Sequence, residues 1–598
     1  MAKSERSSLS ILIVSILLGA IFLRLFFIQI INGDEYNQIS SNNFLKEIIV
    51  PAPRGSILDR FGNEIAVSKA VVNLYYKKNS KDDLFKLRNF LSNSLSIKKE
   101  TVDKIFIESN LPKNKNKRFI IKENLKLKNI YRVESQLNSY QSLELVVDYL
   151  RVYPFEEVGA HKFGYLKSND SRDIVYGSFL STRIGISGLE KIYEKKLQGL
   201  NGTKYLLIDS KGREVVSEVV SFDKKIKENK SGENLNTTVD IELERHIYKA
   251  FGDLRGAAVV HDINTNEILA LVSKPSFNPN EFSKSMSAKK WRNISSKPNK
   301  PFLDRAFLSS NPPGSIIKIV TAIAALEEGV INKDTEHYCK GYYVLGGRKF
   351  RCWKQGGHGN VDVVNALITS CDVFFYKVGL SLGIKDYSKW LAFFGFGDKT
   401  KLPFSQNPGV IPNKKFIDKY LKGKWYKGDM VNVAIGQGYL TVNPIQASIM
   451  TSIIASNGKY PNLKIIKNED SIDNELLDLN KDNLLLVQKG LLGVVNEDNG
   501  TGFHARDDGM LAGKTGTAQV ISKDSKDYNL GKYKNHGWYT SYYPFDNPRI
   551  VITVFVENGV SGGRSGGPIT KEIVSYYKKN YLTTDKENYS NNMSDSGE

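Results

Sequence analysis

The chain has 598 residues, enough for several domains, and its 41% hydrophobic and 25% charged composition is that of ordinary globular material. Its 84 Lys+Arg against 64 Asp+Glu leave a net charge of +20. The lysines are scattered and no nucleic-acid motif accompanies them. Nucleic acid is therefore set aside in favour of a surface facing an anionic polymer or lipid head groups, with a general lysine bias as the plain alternative.

In chain order, the first element is the apolar run from Leu9 to Ile31, broken only by Ser10, Ser15, Arg24 and Gln29. At ~1.5 Å per residue such a helix crosses a bilayer core. Lys3 and Arg6 precede it, which predicts a cytoplasmic tail over 1–8, a single-pass signal anchor over 9–31 and export of the remainder. A cleaved signal peptide fits less well, because Leu18-Gly19-Ala20 runs on into more apolar sequence. Residues 32–234 mix short strands, lysine-rich helices and turns without catalytic chemistry, and the polar stretch Lys224 to Gly232 reads as a linker.

A second domain is expected over 235–582. Ala257 to Asp262 and Glu267 to Val272 flank Asn264-Thr265-Asn266 as one hairpin, and Trp538 to Tyr543 and Arg549 to Glu557 flank Asp546-Asn547-Pro548 as another. Together with a strand at Lys514 they predict an antiparallel sheet built from both ends of the domain, with helices from its middle packed on it. The fold class is α/β in the α+β sense. Residues 583–598 lack apolar content and are expected to be disordered. No internal repeat is seen.

Three ordered motifs carry chemistry. Ser315-Ile316-Ile317-Lys318 follows the turn Asn311-Pro312-Pro313-Gly314 and opens an apolar run to Leu326 closed by Gly329, the pattern of a buried helix. Residues three apart on a helix share a face, so the Lys318 amine is expected within reach of the Ser315 hydroxyl. Lys318 is the only charge in that run, and a lysine neutral part of the time can take a serine proton. The pattern alone is cheap, since Ser96-Ile97-Lys98-Lys99 and Ser287-Ala288-Lys289-Lys290 also fit it. Ser370-Cys371-Asp372 follows, ahead of a helix expected from Val373, and an N-cap pair is its plain reading. Lys514-Thr515-Gly516-Thr517 reads as a strand whose glycine admits a ligand and whose lysine suits a carboxylate. The amides of Ser315 and Thr517 together could hold an oxyanion.

All three cysteines, Cys339, Cys352 and Cys371, fall in one segment with His358 between the last two. That matches a Cys₃His zinc set in chemistry, although the spacing is loose. A disulfide with one cysteine left over and incidental buried thiols are the other readings, and His337 could replace His358.

With these residues in place the chain resembles the penicillin-binding transpeptidases, whose motif set is Ser-x-x-Lys, Ser-Asp-Asn and Lys-Thr-Gly. Arg54-Gly55-Ser56-Ile57-Leu58-Asp59-Arg60-Phe61-Gly62 looks like the opening of the N-terminal module of class B members. Gly188-Leu189-Glu190, Asp304-Arg305-Ala306, Gly436 to Thr441 with Pro444, and Trp538 also stand where such proteins have them, so the likeness covers about Arg54 to Pro568. Ser-Cys-Asp in place of Ser-x-Asn is more similar to the cell-elongation enzymes of the penicillin-binding protein 2 type than to division-specific ones. Asp372 thus departs from the family's asparagine.

The resemblance implies an elongated pedestal over 32–234 and a transpeptidase domain beyond it, on the periplasmic side of a cell inner membrane. It implies acyl transfer on peptidoglycan stem peptides, with Ser315 as nucleophile, Lys318 as base, Ser370 and neighbouring groups, with Asp372 in the same motif, as relay, and Lys514, Thr515 and Thr517 holding the terminal carboxylate where Gly516 lets the backbone approach. β-Lactams would mimic the D-Ala-D-Ala unit. It also implies a zinc site at the cysteines, with no organic cofactor. A membrane-embedded SEDS-type glycosyltransferase and elongation-complex proteins are the partners it suggests. A division-type enzyme, a β-lactamase or β-lactam sensor, and a scaffold that mainly activates a glycosyltransferase are the competing readings. A pedestal of about two hundred residues argues against a lactamase.

Overall fold

The computed structural model describes the chain except residues 1, 33–44, 79–80, 115–117, 169–182, 208–226, 283–287, 469–473, 521–533 and 583–598. The expected C-terminal tail, the first residues of the expected linker and the alternative motif serine Ser287 lie outside the described residues. Ala2–Phe26 is helical and continues as a π-helical turn over Phe27–Ile31. Within it Ile11–Ile31 has a mean hydropathy of 2.8 and buries nothing against the rest of the protein. A helix so long, apolar and unpartnered is suited to a single-pass anchor.

The region after the anchor is built on the long strand Glu64–Lys77, paired antiparallel with Leu143–Val152 from Val67↔Val152 to Tyr76↔Leu143 and with Arg118–Lys122 at its far end. Helices Leu84–Leu95 and Lys99–Ser109 place Leu87, Leu91, Leu95, Val102 and Phe106 against Leu74 and Tyr76, forming a small separate core. Nearer the C-terminal domain, Ile57–Leu58 runs parallel to Leu235–Asn236. Here Arg54 and Arg151 converge on Glu190, at 2.6 Å and 2.7 Å, and Arg54 reaches Glu194 at 2.6 Å. Buried charges persist only when paired in this way. The described part of the expected linker is held in place: Leu200 N donates to Lys230 O at 2.8 Å and Gly232 N to Pro53 O at 3.0 Å. Polarity misled there, because backbone pairing rather than side-chain burial ties the segment down.

The C-terminal domain centres on a five-stranded antiparallel sheet of β1 (Arg255–Asp262), β2 (Ile268–Lys274), β3 (Ala512–Ala518), β4 (His536–Tyr543) and β5 (Ile550–Glu557), in the order β2-β1-β5-β4-β3. Both predicted hairpins are present, drawn from opposite ends of the domain. Strand alternation sorts the side chains cleanly: Ala257, Val259, Trp538, Tyr542, Val551 and Phe555 face one core, Ala258, Val260, Tyr539, Ile552 and Val554 the other. Five helices matter for the site: α1 (Lys318–Glu327), α2 (Asp372–Phe393), α3 (Pro444–Ala455), α4 (Lys481–Asn496) and α5 (Gly562–Tyr577). Of these, α5 covers the second core with Ile569, Ile573 and Val574, whereas α1 and α3 lie in the first, wholly buried along most of their length. Asn443 and Gln446 cap each other's backbone at the start of α3, which satisfies two of the N–H groups at the entry of this apolar helix.

Candidate active site and thiol cluster

Ser315 lies on a 3₁₀ turn, Gly314–Ile317, and α1 itself begins at Lys318. The sequence pattern placed the helix start one turn too early, since the turn's tighter winding is invisible in apolar periodicity. Gly314 has φ +56° and its N–H donates to Gly436 O at 2.8 Å; a β-carbon there would stand within 3.0 Å of the Thr517 backbone. On the facing strand, a β-carbon at Gly516 would meet Pro313 O at 2.8 Å and Ile316 Cγ2 at 3.0 Å. The two glycines let β3 press against the turn carrying Ser315. Trp538 Nε1 fastens the turn from below through Pro312 O at 3.0 Å.

Lys318 is fully buried. Its amine donates to Asp372 Oδ1 at 2.6 Å, Ser370 O at 2.9 Å and Ser370 Oγ at 3.2 Å. Among the described residues no Lys318–Ser315 hydrogen bond is formed. The lysine's donors are taken up by the second motif, a pairing that helical spacing within the first motif does not foretell. Ser370 holds a left-handed backbone, φ +52°, costly for a residue with a side chain and typical of functional sites. Asp372 is the first residue of α2, and Cys371 is its N-cap without a side-chain bond, so the N-cap reading of Ser370 and Asp372 does not hold.

One residue that sequence reasoning passed over ties this motif together. Trp353 N donates to Asp372 Oδ2 at 3.0 Å, and its indole Nε1 to Thr369 O at 2.9 Å and Ser370 O at 3.1 Å. Its only signal in the sequence is its place next to Cys352. Gln437, from the Gly436 to Thr441 stretch, adds a bond to the third motif: its Nε2 donates to Thr517 O at 3.0 Å.

Lys514 is also fully buried, with Nζ donating to Thr515 O at 3.2 Å. Burial, with Lys318 nearby, pushes its amine well below the usual lysine range, and Asp372 partly opposes this. Thr515 Oγ1 shares a hydrogen bond with Thr501 Oγ1 at 2.8 Å. Strand β3 is at the edge of the sheet, with β4 as its only strand neighbour among the described residues. Such an edge can accept an extended peptide as a further strand.

Beside the second motif, Cys339 Sγ, Cys352 Sγ, Cys371 Sγ and a ring nitrogen of His358 all lie within 4.8 Å of one another. His358 Nδ1 is 3.6 Å from Cys339 and 3.5 Å from Cys352. The cysteines are free thiols, buried, and no disulfide joins them. Cys371 as a donor pulls the Cys352 thiol down, while Cys371 itself is pushed up. His337 lies apart, its ring 5.3 Å from that of Phe374.

The model of the penicillin binding protein transpeptidase domain matches residues 256–575, and that of the penicillin-binding protein dimerisation domain residues 49–237. The chain therefore belongs to the penicillin-binding protein transpeptidases. It is 31% identical to the peptidoglycan D,D-transpeptidase MrdA of Haemophilus influenzae, across 96% of this chain and 91% of that one. To MrdA of Escherichia coli K12 it is 28% identical, across 96% and 94%. Among solved structures it is similar to the penicillin-binding protein PBP2 of Helicobacter pylori in complex with MreC, with a TM-score of 0.77, 28% identity and coverage of 90% and 100%. A structure described as the coordination of polymerization and crosslinking by a peptidoglycan synthase complex matches with a TM-score of 0.71, 27% identity and coverage of 96% and 98%.

Proposed function

We infer that this protein is a peptidoglycan D,D-transpeptidase of cell elongation that forms a serine acyl-enzyme from D-Ala-D-Ala stems and is a target of β-lactams. The observation that carries the assignment of residues is the meeting of all three motifs at one point: Gly314 against Thr517, and Lys318 against Ser370 and Asp372. A stem peptide lies along β3, its terminal carboxylate on Lys514, Thr515 and Thr517. Ser315 Oγ bonds to the penultimate D-alanine carbonyl carbon, and its proton passes to Lys318, which hands one on along its hydrogen bond to Asp372. The Ser315 and Thr517 amides receive the oxyanion. As the C–N bond breaks, the leaving D-alanine amine takes a proton through Ser370; an amine from a neighbouring stem then attacks the ester carbonyl, the bond between that carbon and Ser315 Oγ breaks, and the amine's proton returns to Ser315 by way of Lys318. Mass spectrometry of the detergent-solubilised chain after penicillin, with the modified peptide mapped, tests this. An adduct on Ser315 absent from Ser315→Ala is expected, and labelling that survives the substitution overturns the nucleophile.

Cys339, Cys352, His358 and Cys371 are read as ligands of one structural zinc. Zinc–sulfur and zinc–nitrogen bonds of about 2.3 Å and about 2.0 Å at a tetrahedral angle separate the two donors by about 3.5 Å. The Sγ···Nδ1 distances of 3.5 Å and 3.6 Å support that fit. Zinc would join the segments carrying Cys339 and Cys352 to Cys371, next to Ser370, leaving no open position for chemistry. Elemental analysis of purified protein should find one zinc per chain; none at all would refute it.

The domain limits are proposed as an anchor over 9–31, a pedestal over 32–234 and a catalytic domain over 235–582, with residues 1–8 cytoplasmic and all beyond the anchor periplasmic. Lys3 and Arg6 support this orientation. Protease added to right-side-out spheroplasts should remove the catalytic domain. The likeness to a complex with MreC and to a peptidoglycan synthase complex supports elongation-complex proteins and a membrane glycosyltransferase as partners.

A further inference from the structure

Two strongly basic segments flank the second motif. From Lys340 to Lys354 there are five basic and no acidic side chains; from Lys414 to Lys427 there are six lysines and one acid, Asp418. All of these cations are exposed, and none forms a salt bridge among the described residues. A charge run of this kind is usually a solvated face. Here, however, it carries aromatic rings that remain in water: Tyr426 at 65%, Tyr420 at 62% and Trp353 at 54% relative exposure. Some are ordered against one another, Phe416 with Tyr420 at 5.0 Å and with Tyr439 at 5.8 Å.

The two segments meet. Phe350, from the strand pair Tyr342–Leu345 and Arg348–Arg351, lies against the Gly428 backbone, with 3.5 Å between its Cζ and the place of a β-carbon. The joined surface abuts the site on two sides. Trp353 holds Ser370 and Asp372, and two residues from Tyr439 stands Gln437, bonded to Thr517 O.

We propose that this basic, aromatic shelf binds the glycan strand of peptidoglycan, amino-sugar rings stacking on the tyrosines and stem carboxylates pairing with the lysines. The proposal rests on the transpeptidase reading and adds to it where the polymer, rather than the reacting dipeptide, is held. Flat apolar sugar faces match exposed rings, and the polymer's repeated carboxylates match a run of cations without salt-bridge partners. Small β-lactams, which carry no glycan, do not reach the shelf.

The test uses the full-length protein in detergent with soluble, uncross-linked peptidoglycan strands whose stems have been trimmed of the terminal D-alanine, so that no D-Ala-D-Ala unit is present to react. Two variants divide the surface, Tyr420→Ala/Tyr426→Ala and Lys415→Gln/Lys419→Gln/Lys424→Gln. Each should weaken strand binding tenfold or more while penicillin acylation stays within twofold of the parent. Polyglutamate, a carboxylate polymer without sugars, should compete poorly, and the tyrosine pair should not alter its binding. Strand binding unchanged in both variants, or polyglutamate competing as well as strands, overturns the shelf. Loss of penicillin acylation from the parent itself would instead strike the transpeptidase reading, because strand binding is measured without turnover.

Discussion

Lys318 and Asp372 form an ion pair of 2.6 Å, the lysine fully buried and the carboxylate nearly so. Removing one partner of such a pair strands the other charge in a medium that cannot solvate it. Asp372→Ala should therefore cost ~3 kcal/mol of stability. Asp372→Asn, which keeps an acceptor in place, should cost less. Denaturant unfolding of the two variants checks the order, and an alanine variant as stable as the parent would remove the pair from the account.

Lys318→Arg keeps the charge opposite Asp372 but supplies a group that does not give up its proton. Acylation by penicillin should fall by about a thousandfold, the scale of a lost proton-transfer group, while the thermal midpoint moves by only a few degrees. Near-parental acylation would exclude Lys318 as base.

Gly516→Ala places a methyl group against Pro313 O, Ile316 Cγ2 and Trp538 Cβ, at 2.8, 3.0 and 3.1 Å. Overpacking of this degree typically costs about 1–3 kcal/mol. Because the displaced neighbour is the turn bearing Ser315, acylation should drop by more than the stability loss explains. Equal loss of folded protein and of acylation rate would mean that the contact is structural only.

His261 is wholly buried on β1, with Nδ1 3.0 Å from Ser448 Oγ on α3, and burial lowers its pKa to about 3. Its folded value lies below its unfolded value, so the unfolded chain binds more protons between about pH 6.5 and 3. Stability should thus rise with pH across that window and be lost on acidification, by up to about 1.4 kcal/mol per pH unit from this group. His261→Asn should flatten the slope of unfolding free energy between pH 6.5 and 4. An unchanged slope would assign it elsewhere, for instance to His161, whose pKa burial also lowers to about 3.

Cys352→Ser, or removal of metal by a chelator, should lower the thermal midpoint and penicillin acylation together, since Cys371 adjoins Ser370. Zinc stoichiometry and acylation measured on the same samples check this. A chelated protein that acylates at the parental rate would separate the cluster from the active site.

Much of the architecture is legible in the amino-acid sequence because it rests on local regularities. The length of the Ile11–Ile31 run, the two hairpins and the order of the three motifs each depend on neighbouring residues alone. What local pattern could not carry was which partner each polar group takes. Helical spacing points Lys318 toward Ser315, yet its amine pairs with Asp372, 54 residues away. Opposite charges and a backbone carbonyl satisfy a buried ammonium better than a single hydroxyl can.

The sequence by itself determined the anchor, the sheet and the identities of the reactive side chains, since period, length and composition are local quantities. Only the tertiary structure decided that Cys339, Cys352, His358 and Cys371 converge, that His337 does not, and that Trp353 bonds to both ends of the second motif. It also decided that Gly314 and Gly516 bring the turn and the edge strand together. Those outcomes depend on packing between elements distant in the chain, where the free energy of burying and pairing polar groups selects one arrangement among many that the same local signals allow.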